Sequence, residues 1–314
     1  MPKVSVIIPT YNRGDVLSRA ISSVLNQSFK DFNLIIVDTG SSDNTETIMS
    51  EFSDDRIIYH RIEMRKSASE ARNIGIKLSK SPYVSFLDSD DEIKENHIEA
   101  VVEELEQESQ NCVGAFTGRE IRVQGDMEYT QPIDKEYIKY SDILKRNSIG
   151  GFSNLTFRRS VFSSDNYIDE SMNVFEDYDL LLRVLKDGFK FKGIDENLTI
   201  RYKDNDDRLS DKPNDITNGR KKLFEKHGKD LSSKAKSRLY YIDAQYQALG
   251  GNLRTARKYY SKSIYYDYTK WFSYLHLIAT IHPYLFHSLI ECKRTIKKIA
   301  DWRKYKNNLK KTIN

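Results

Sequence analysis

The sequence predicts an α/β protein, a mostly parallel mixed sheet flanked by helices, followed by an all-helical extension. Three observations predict it. Over the first hundred residues short apolar runs alternate with stretches of helical period, and strands apolar on both faces need helices on both sides. Beyond the polar stretch KDNDDRLSDKPND at 203–215, every segment has helical spacing. The charge divides near the same place: residues 1–210 hold 27 Lys and Arg against 38 Asp and Glu, and residues 211–314 hold 23 against 8. A chain of 314 residues suggests about two domains, expected here as 1–210 and 211–314.

The elements follow in order. Val4–Ile8 is a short apolar run before Pro9 and reads as a buried strand. Val16, Leu17, Ala20, Ile21, Val24 and Leu25 recur at helical spacing, which predicts an amphipathic helix over 15–26. Leu34–Val37 is a second strand, stopped by DTGSSD, and a short helix follows over 45–52. Ile57–His60 is a third strand and Ala68–Leu78 a helix. Tyr83–Leu87 is a fourth strand ending in DSDD at 88–91, and residues 95–108 form an acidic helix. From Cys112 to Arg201 the pattern loosens. CVGAF, GGFSNLTF and FKFKGI read as strands and 177–186 as a helix. The segment 237–270 resembles one tetratricopeptide helix–turn–helix unit; an ordinary helical hairpin accounts for it equally well.

Composition excludes several classes. Two cysteines, Cys112 and Cys292, are too few for a disulfide framework or a Cys-rich zinc site. Lys3 is followed only by the short run to Pro9, which lacks the pattern of a secretory leader. The most apolar stretch, Trp271–Leu289, carries three histidines and Pro283, so it reads as a hairpin or interfacial segment rather than a span. The location expected is cytoplasmic, with peripheral attachment to the cytosolic membrane face. No GxxxxGK[ST], GxGxxG or GxSxG pattern occurs.

In parallel sheets ligands bind beyond the carboxyl ends of the strands. That rule selects PTYNR at 9–13, DTGSSD at 38–43 and DSDD at 88–91. Asp88 and Asp90 are two apart at a strand end, and paired hard oxygens suit Mg²⁺ or Mn²⁺ on a diphosphate. An isolated pair of this kind is more often a solvated turn; its position in phase with two other polar strand ends argues otherwise. Asp38 can accept hydrogen bonds from a base or ribose, or open an Asx-turn. The backbone of Pro9, Thr10 and Asn12, with Tyr11, can pack along a base. Lys66 and Arg72 can contact a diphosphate or ribose, or solvate a helix. Glu176 and Asp177 at a helix start can cap it, or one can be a general base.

VSVIIPTYNR, LNQSF, LIIVDTGSSDNT, ASEARNIGI, YVSFLDSDD, DESM at 169–172 and FEDYDLLLRV at 175–184 together resemble, in order and spacing, the family 2 glycosyltransferases. The match covers residues 3–210. It implies a GT-A fold, a UDP- or GDP-sugar donor and transfer with inversion to a glycan, lipid-linked saccharide or polyprenyl phosphate, in cell-surface polysaccharide or glycoprotein glycan synthesis. It places Pro9, Thr10, Tyr11, Asn12, Asp38, Arg72 and Asp88 around the nucleotide. Asp90 and Asp91 become the Mn²⁺ or Mg²⁺ site, Asp177 the base and Glu176 its support. The family's YRxH-like segment reads IRYKDNDDRLS here and lacks the histidine, leaving Lys203 or Arg208 to supply charge.

Nine Lys and Arg lie between Lys293 and Lys311, which suits an anionic membrane surface over 271–311. A partner protein is the alternative. No nucleic-acid motif occurs. The competing reading of the whole chain is a non-catalytic nucleotide-sugar-binding or scaffold protein that keeps the fold.

Overall fold

The structure is a computed structural model describing residues 1–123, 125–162, 167–203 and 212–281. The chain divides into two compact units, residues 1–125 with 131–204, and residues 126–130 with 205–314. The boundary expected at 210 falls outside the described residues.

The first unit opens with strand β1 (Val4–Thr10), every residue of which is buried. The strand runs through Pro9, two residues further than the apolar run suggested. Its pairing on the β4 side ends at Ile7 opposite Phe86, so proline meets a ladder already open on one side. Helix α1 (Gly14–Leu25) turns Leu17, Ala20, Ile21 and Val24 inward. Then come β2 (Phe32–Asp38), α2 (Thr45–Ser50), β3 (Ile57–Arg61), α3 (Ala68–Leu78), β4 (Tyr83–Phe86), β5 (Asp91–Ile93) and α4 (His97–Gln107). Helix α3 starts at a capping box: Ser67 Oγ accepts the Glu70 N–H and the Glu70 carboxylate accepts the Ser67 N–H. A Cβ at Gly75 would collide with the Ile7 side chain, so glycine lets α3 lie close on β1.

The next elements along the chain are β6 (Cys112–Val123), β7 (Asp126–Gln131), β8 (Tyr137–Lys139), α5 (Tyr140–Ile143), β9 (Leu155–Arg158), α6 (Glu176–Leu185) and β10 (Lys190–Tyr202), of which residues 126–130 of β7 belong to the second unit. The sheet order is β3-β2-β1-β4-β9-β6-β10-β5, with β8 also on β10. Strands β3, β2, β1 and β4 are parallel; β9 runs antiparallel to both β4 and β6. The register aligns Thr10, Asp38 and Arg61, while Leu87 donates to Ile7. The carboxyl ends of four strands therefore open on one edge. Phe86 packs edge-on to Phe152 and Phe157 beneath that edge, at ring separations of 5.1 and 6.0 Å.

Strands β5, β7 and β8 and helix α5 were not expected. The first is three residues long and exists through antiparallel pairing with β10, a partner about a hundred residues away that local periodicity cannot reveal.

Within the second unit, helices α7 (Pro213–His227), α8 (Ser233–Leu249), α9 (Leu253–Tyr266) and α10 (Trp271–Ala279) follow. The expected hairpin is α8 and α9, turning at Gly250–Asn252, where Gly251 takes a φ of +81°. Its core is small and tyrosine-rich, built from Tyr241, Ala244, Ala248, Ala256, Tyr260 and Ala279.

Candidate active site

Three strand-end loops and the start of α6 supply the site. Pro9 and Thr10 close β1, and Tyr11 lies under the Arg65 guanidinium, 4.5 Å from the ring centre. Asn12 adopts a left-handed φ of 49°, which asparagine tolerates. Its N–H donates to Ser41 Oγ and its Oδ1 accepts the Ser42 N–H, both at 2.8 Å. These bonds fasten the 9–13 loop to the 38–43 loop.

Asp38 is fully buried at the end of β2. One carboxylate oxygen accepts the Ser41 N–H and hydroxyl, at 2.9 and 2.7 Å; the other accepts the Tyr59 hydroxyl at 2.7 Å. The Asx-turn and the pocket wall are thus one arrangement. Burial, then the bond to Asp38, pushes the Tyr59 phenol well up, so it stays a donor.

Beyond β4, Asp88 accepts Arg72 Nη2 at 2.6 Å, and its own N–H donates to Ser153 Oγ at 3.2 Å. Asp91 is not in a turn: it begins β5 and is buried. One of its oxygens accepts Ser153 Oγ at 2.7 Å, the other the Tyr202 N–H at 3.4 Å. Burial, followed by the neighbouring Asp90 charge, raises the Asp91 carboxyl, and Arg201 opposes the rise. Arg19 holds this segment from the side. It donates to the Asp90 carbonyl at 2.9 Å, pairs with Glu92 at 3.0 Å and stacks 3.5 Å over Tyr202.

Asp88, Asp90 and Asp91 each bring one carboxylate oxygen within 4.8 Å of the others. Three carboxyl groups so close repel one another once ionised, which a cation between them would relieve, and an all-oxygen donor set fits a hard divalent ion. Asp88 and Asp90 are the less buried two.

The fourth component is the start of α6. Phe175 precedes it at φ 67°, an outlier for a bulky residue that costs on the order of 1–3 kcal/mol. That backbone kink carries Glu176 and Asp177 together into the cleft. Glu176 accepts Arg72 Nη1 at 3.3 Å. Asp177 accepts Asn147 Nδ2 at 3.3 Å and the Tyr178 N–H at 2.7 Å. Burial first raises both carboxyls; Arg72 opposes this in each, and the Tyr178 and Asn147 bonds also hold Asp177 down. Asp179, by contrast, is buried against Arg183 at 2.9 Å and serves the helix.

Arg72 thus joins the acid turn to the Glu176–Asp177 helix. Lys66 pairs with Glu70 at 3.0 Å, beside the capping box. Lys203 lies on the chain leaving β10, and its N–H donates to the Arg122 carbonyl; Arg208 lies outside the described residues. Sequence reasoning passed over Asn147, Phe152, Ser153, Arg19 and Tyr59. Asn147 and Ser153 flank the Gly150-Gly151 pair, where Gly150 has φ +96° and a Cβ would strike the Arg119 guanidinium. That glycine pair was the available signal of a close approach.

Residues 5–164 match the family model described as Glycosyl transferase family 2. The chain is 32% identical over 184 residues to the Escherichia coli UDP-Glc:alpha-D-GlcNAc-diphosphoundecaprenol beta-1,3-glucosyltransferase WfgD, covering 59% of this chain and 70% of that protein. It superimposes on S. aureus TarS 1–349 in complex with UDP-GlcNAc with a TM-score of 0.63, 14% identity and 92% of each chain covered. The mannosyltransferase PcManGT of Pyrobaculum calidifontis, in complex with GDP-Man and Mn²⁺, aligns with a TM-score of 0.57 and 14% identity over 83% of this chain and 74% of that one.

Proposed function

The chain belongs to glycosyl transferase family 2, and on that premise we propose that it transfers a sugar from a UDP- or GDP-sugar to an acceptor hydroxyl, with inversion and with help from a divalent metal. The observation that carries this reading is a single one. Arg72 touches both Asp88 of the three-carboxylate turn and Glu176 beside Asp177, so a metal-fitting cluster and a candidate base share one cleft.

Each residue has a job that its position explains. Tyr11, Asn12 and Asp38 wall the nucleoside end of the cleft. Thr10 Oγ1 is buried there without a hydrogen-bond partner among the described residues, the kind of group a ligand atom satisfies. Asp90 and Asp88 would hold Mn²⁺ or Mg²⁺, with Asp91, fastened by Ser153 and Tyr202, shaping the turn from beneath. The ion, when bound, neutralises charge gathering on the departing diphosphate. Asp177 takes the proton from the acceptor hydroxyl, whose oxygen attacks the anomeric carbon from the face opposite the diphosphate. Glu176 and Arg72 hold Asp177 in place, and burial brings the base's pKa toward the working range. One displacement inverts the anomeric centre.

Relatives named for diphosphoundecaprenol acceptors support a lipid-linked acceptor, and a membrane surface is where it would be met. No helix among the described residues is long and apolar enough to cross a membrane. Helix α10 turns Ser273, His276 and Ala279 inward and exposes Trp271 at 58% and Ile278 at 59%, with Ile281 beyond it at 72%. With nine cations following by Lys311, this face suits an anionic bilayer. Flotation with phosphatidylglycerol vesicles should recover wild type and lose Trp271→Glu/Ile278→Glu; equal recovery refutes the surface.

The function is tested by screening UDP- and GDP-sugars by thermal shift, with MnCl₂ or with EDTA, followed by NMR of the product anomer. A donor that stabilises only with Mn²⁺ and yields an inverted product supports the reading. Binding without hydrolysis or transfer would favour the non-catalytic alternative.

A further inference from the structure

We propose that Arg72 is a positioning residue that locks the Asp88 turn to the helix bearing Glu176 and Asp177, rather than a ligand of the nucleoside. Its side chain is only 6% exposed. The guanidinium spends one nitrogen on Asp88 and another on Glu176. Its face covers the Phe152 ring at 4.2 Å, and Phe152 in turn packs on Phe86, two residues before Asp88. The remaining nitrogen, Nε, is buried without a hydrogen-bond partner among the described residues, so both partnered nitrogens of the fork are those that bridge the two carboxylates.

The neighbours of Arg72 on α3 do related work. Ser69 lies three residues before Arg72 and four before Asn73, so it neighbours each on the helix surface, and all three are buried. Ser69 Oγ donates to the Met172 carbonyl at 3.0 Å. Asn73 Nδ2 donates to the Ile168 carbonyl at 2.8 Å, and its Oδ1 accepts the Ile168 N–H at 3.0 Å. Residues 168–172 lead directly into α6. One face of α3 therefore fixes the approach to α6 through Ser69 and Asn73, and Arg72 extends the same tie to the acid turn. A planar fork holds two carboxylates in one fixed geometry, which the rotating donors of a lysine ammonium on its flexible stem do not reproduce. The separation of base and metal-fitting turn then depends on this side chain, and a displacement of about 1 Å in such a site costs on the order of 100-fold in rate.

This inference rests on the transferase reading, so its first test needs no substrate. In hydrogen exchange of the full chain, Arg72→Gln should speed the amides of Asp88, Asp91 and Asp179 together by about tenfold, all of which are hydrogen-bonded in wild type. Amides of β2 and β3 should be unaffected. Unchanged exchange in either segment overturns the tie.

The second test uses Arg72→Lys, which keeps the charge without the fork, and the donor found by screening. It should lower kcat by about 100-fold while the affinity for the free nucleoside, which lacks the diphosphate, stays within about threefold. In Arg72→Gln the acid limb of kcat should also move to higher pH. Asp177 then keeps Glu176 beside it on its own helix, itself in the field of Asp88, and retains the field of Arg119 of β6. A loss confined to KM and nucleoside affinity, with kcat and pH limb unmoved, would make Arg72 a nucleoside ligand and overturn the proposal. Accelerated exchange in a protein that transfers no sugar would instead count against the transferase reading alone.

Discussion

Each unit of the molecule buries an arginine against carboxylates, and the two arrangements differ in balance and in closure. In the second unit Arg220 meets Asp243 at 2.7 Å, with side-chain exposures of 5% and 0%. Thr217 donates to the other Asp243 oxygen at 2.7 Å, and the guanidinium lies 4.3 Å from the Tyr240 ring centre and 4.8 Å from that of Tyr259. One cation faces one anion behind aromatic walls. In the first unit Arg72 touches Asp88 and Glu176, while Asp90, Asp91 and Asp177 crowd the same cleft and Asp88 remains 32% exposed. Five acids there share Arg72 and the fields of Arg119 and Arg201. The balanced, sealed pair specifies packing. The excess of acids, which solvent reaches at Asp88 and Asp90, is on the proposed reading a place for a metal, a diphosphate and a proton transfer.

Breaking each arrangement should give different kinds of damage. Asp177→Asn should lower transfer by about 10³-fold or more while donor affinity stays near wild type, measured by turnover and calorimetry. A loss of folding, or unchanged turnover, would refute the base assignment. Asp243→Ala should do the opposite. Leaving Arg220 buried and unpaired should cost about 3–5 kcal/mol, visible as a lower urea midpoint in a helix-sensitive signal. A change below 1 kcal/mol would show that the pair is not the keystone of its unit.

A titration sharpens the contrast from outside both clusters. His97 is fully buried at the start of α4, and burial lowers its imidazole from 6.5 to about 4. Below pH 6.5 the unfolded chain takes up a proton that the folded chain refuses. Stability present above pH 6.5 should therefore drain away as pH falls toward 4, by on the order of 3 kcal/mol. His97→Gln should flatten that part of a stability-against-pH curve, and an identical curve would contradict the assignment. The smallest effect concerns the nucleoside end. Tyr59→Phe removes one donor to Asp38 and should cost about 1 kcal/mol, with a modest rise in donor KM. An unchanged KM would mean that the Asp38 conformation does not depend on Tyr59.

Much of the fold was legible from the sequence, for physical reasons. Buried parallel strands are continuous apolar runs, and helix 68–78 begins with its own capping box, so its limits match residue for residue. The register that places Thr10, Asp38 and the 88–91 segment along one edge follows from strand order. Legibility failed where structure depends on distant partners. Asp91 reads as a turn residue until β10 pairs with it. Asp38 reads as an open acceptor until β3 brings Tyr59 alongside. Arg72 reads as an available cation because a sequence shows neither Phe152 beneath it nor Glu176 more than a hundred residues away. Ser153 and Asn147 carry no local pattern at all.

On the proposed reading, the excess of acids at the strand ends binds a cation together with a nucleotide. The direct measurement is calorimetric titration of Mn²⁺ into the protein with UDP or GDP, whichever stabilises the wild type, compared with Asp90→Asn. Wild type should bind saturably, and affinity should weaken by about tenfold or more in the variant. Equal affinity in the two proteins would contradict that reading.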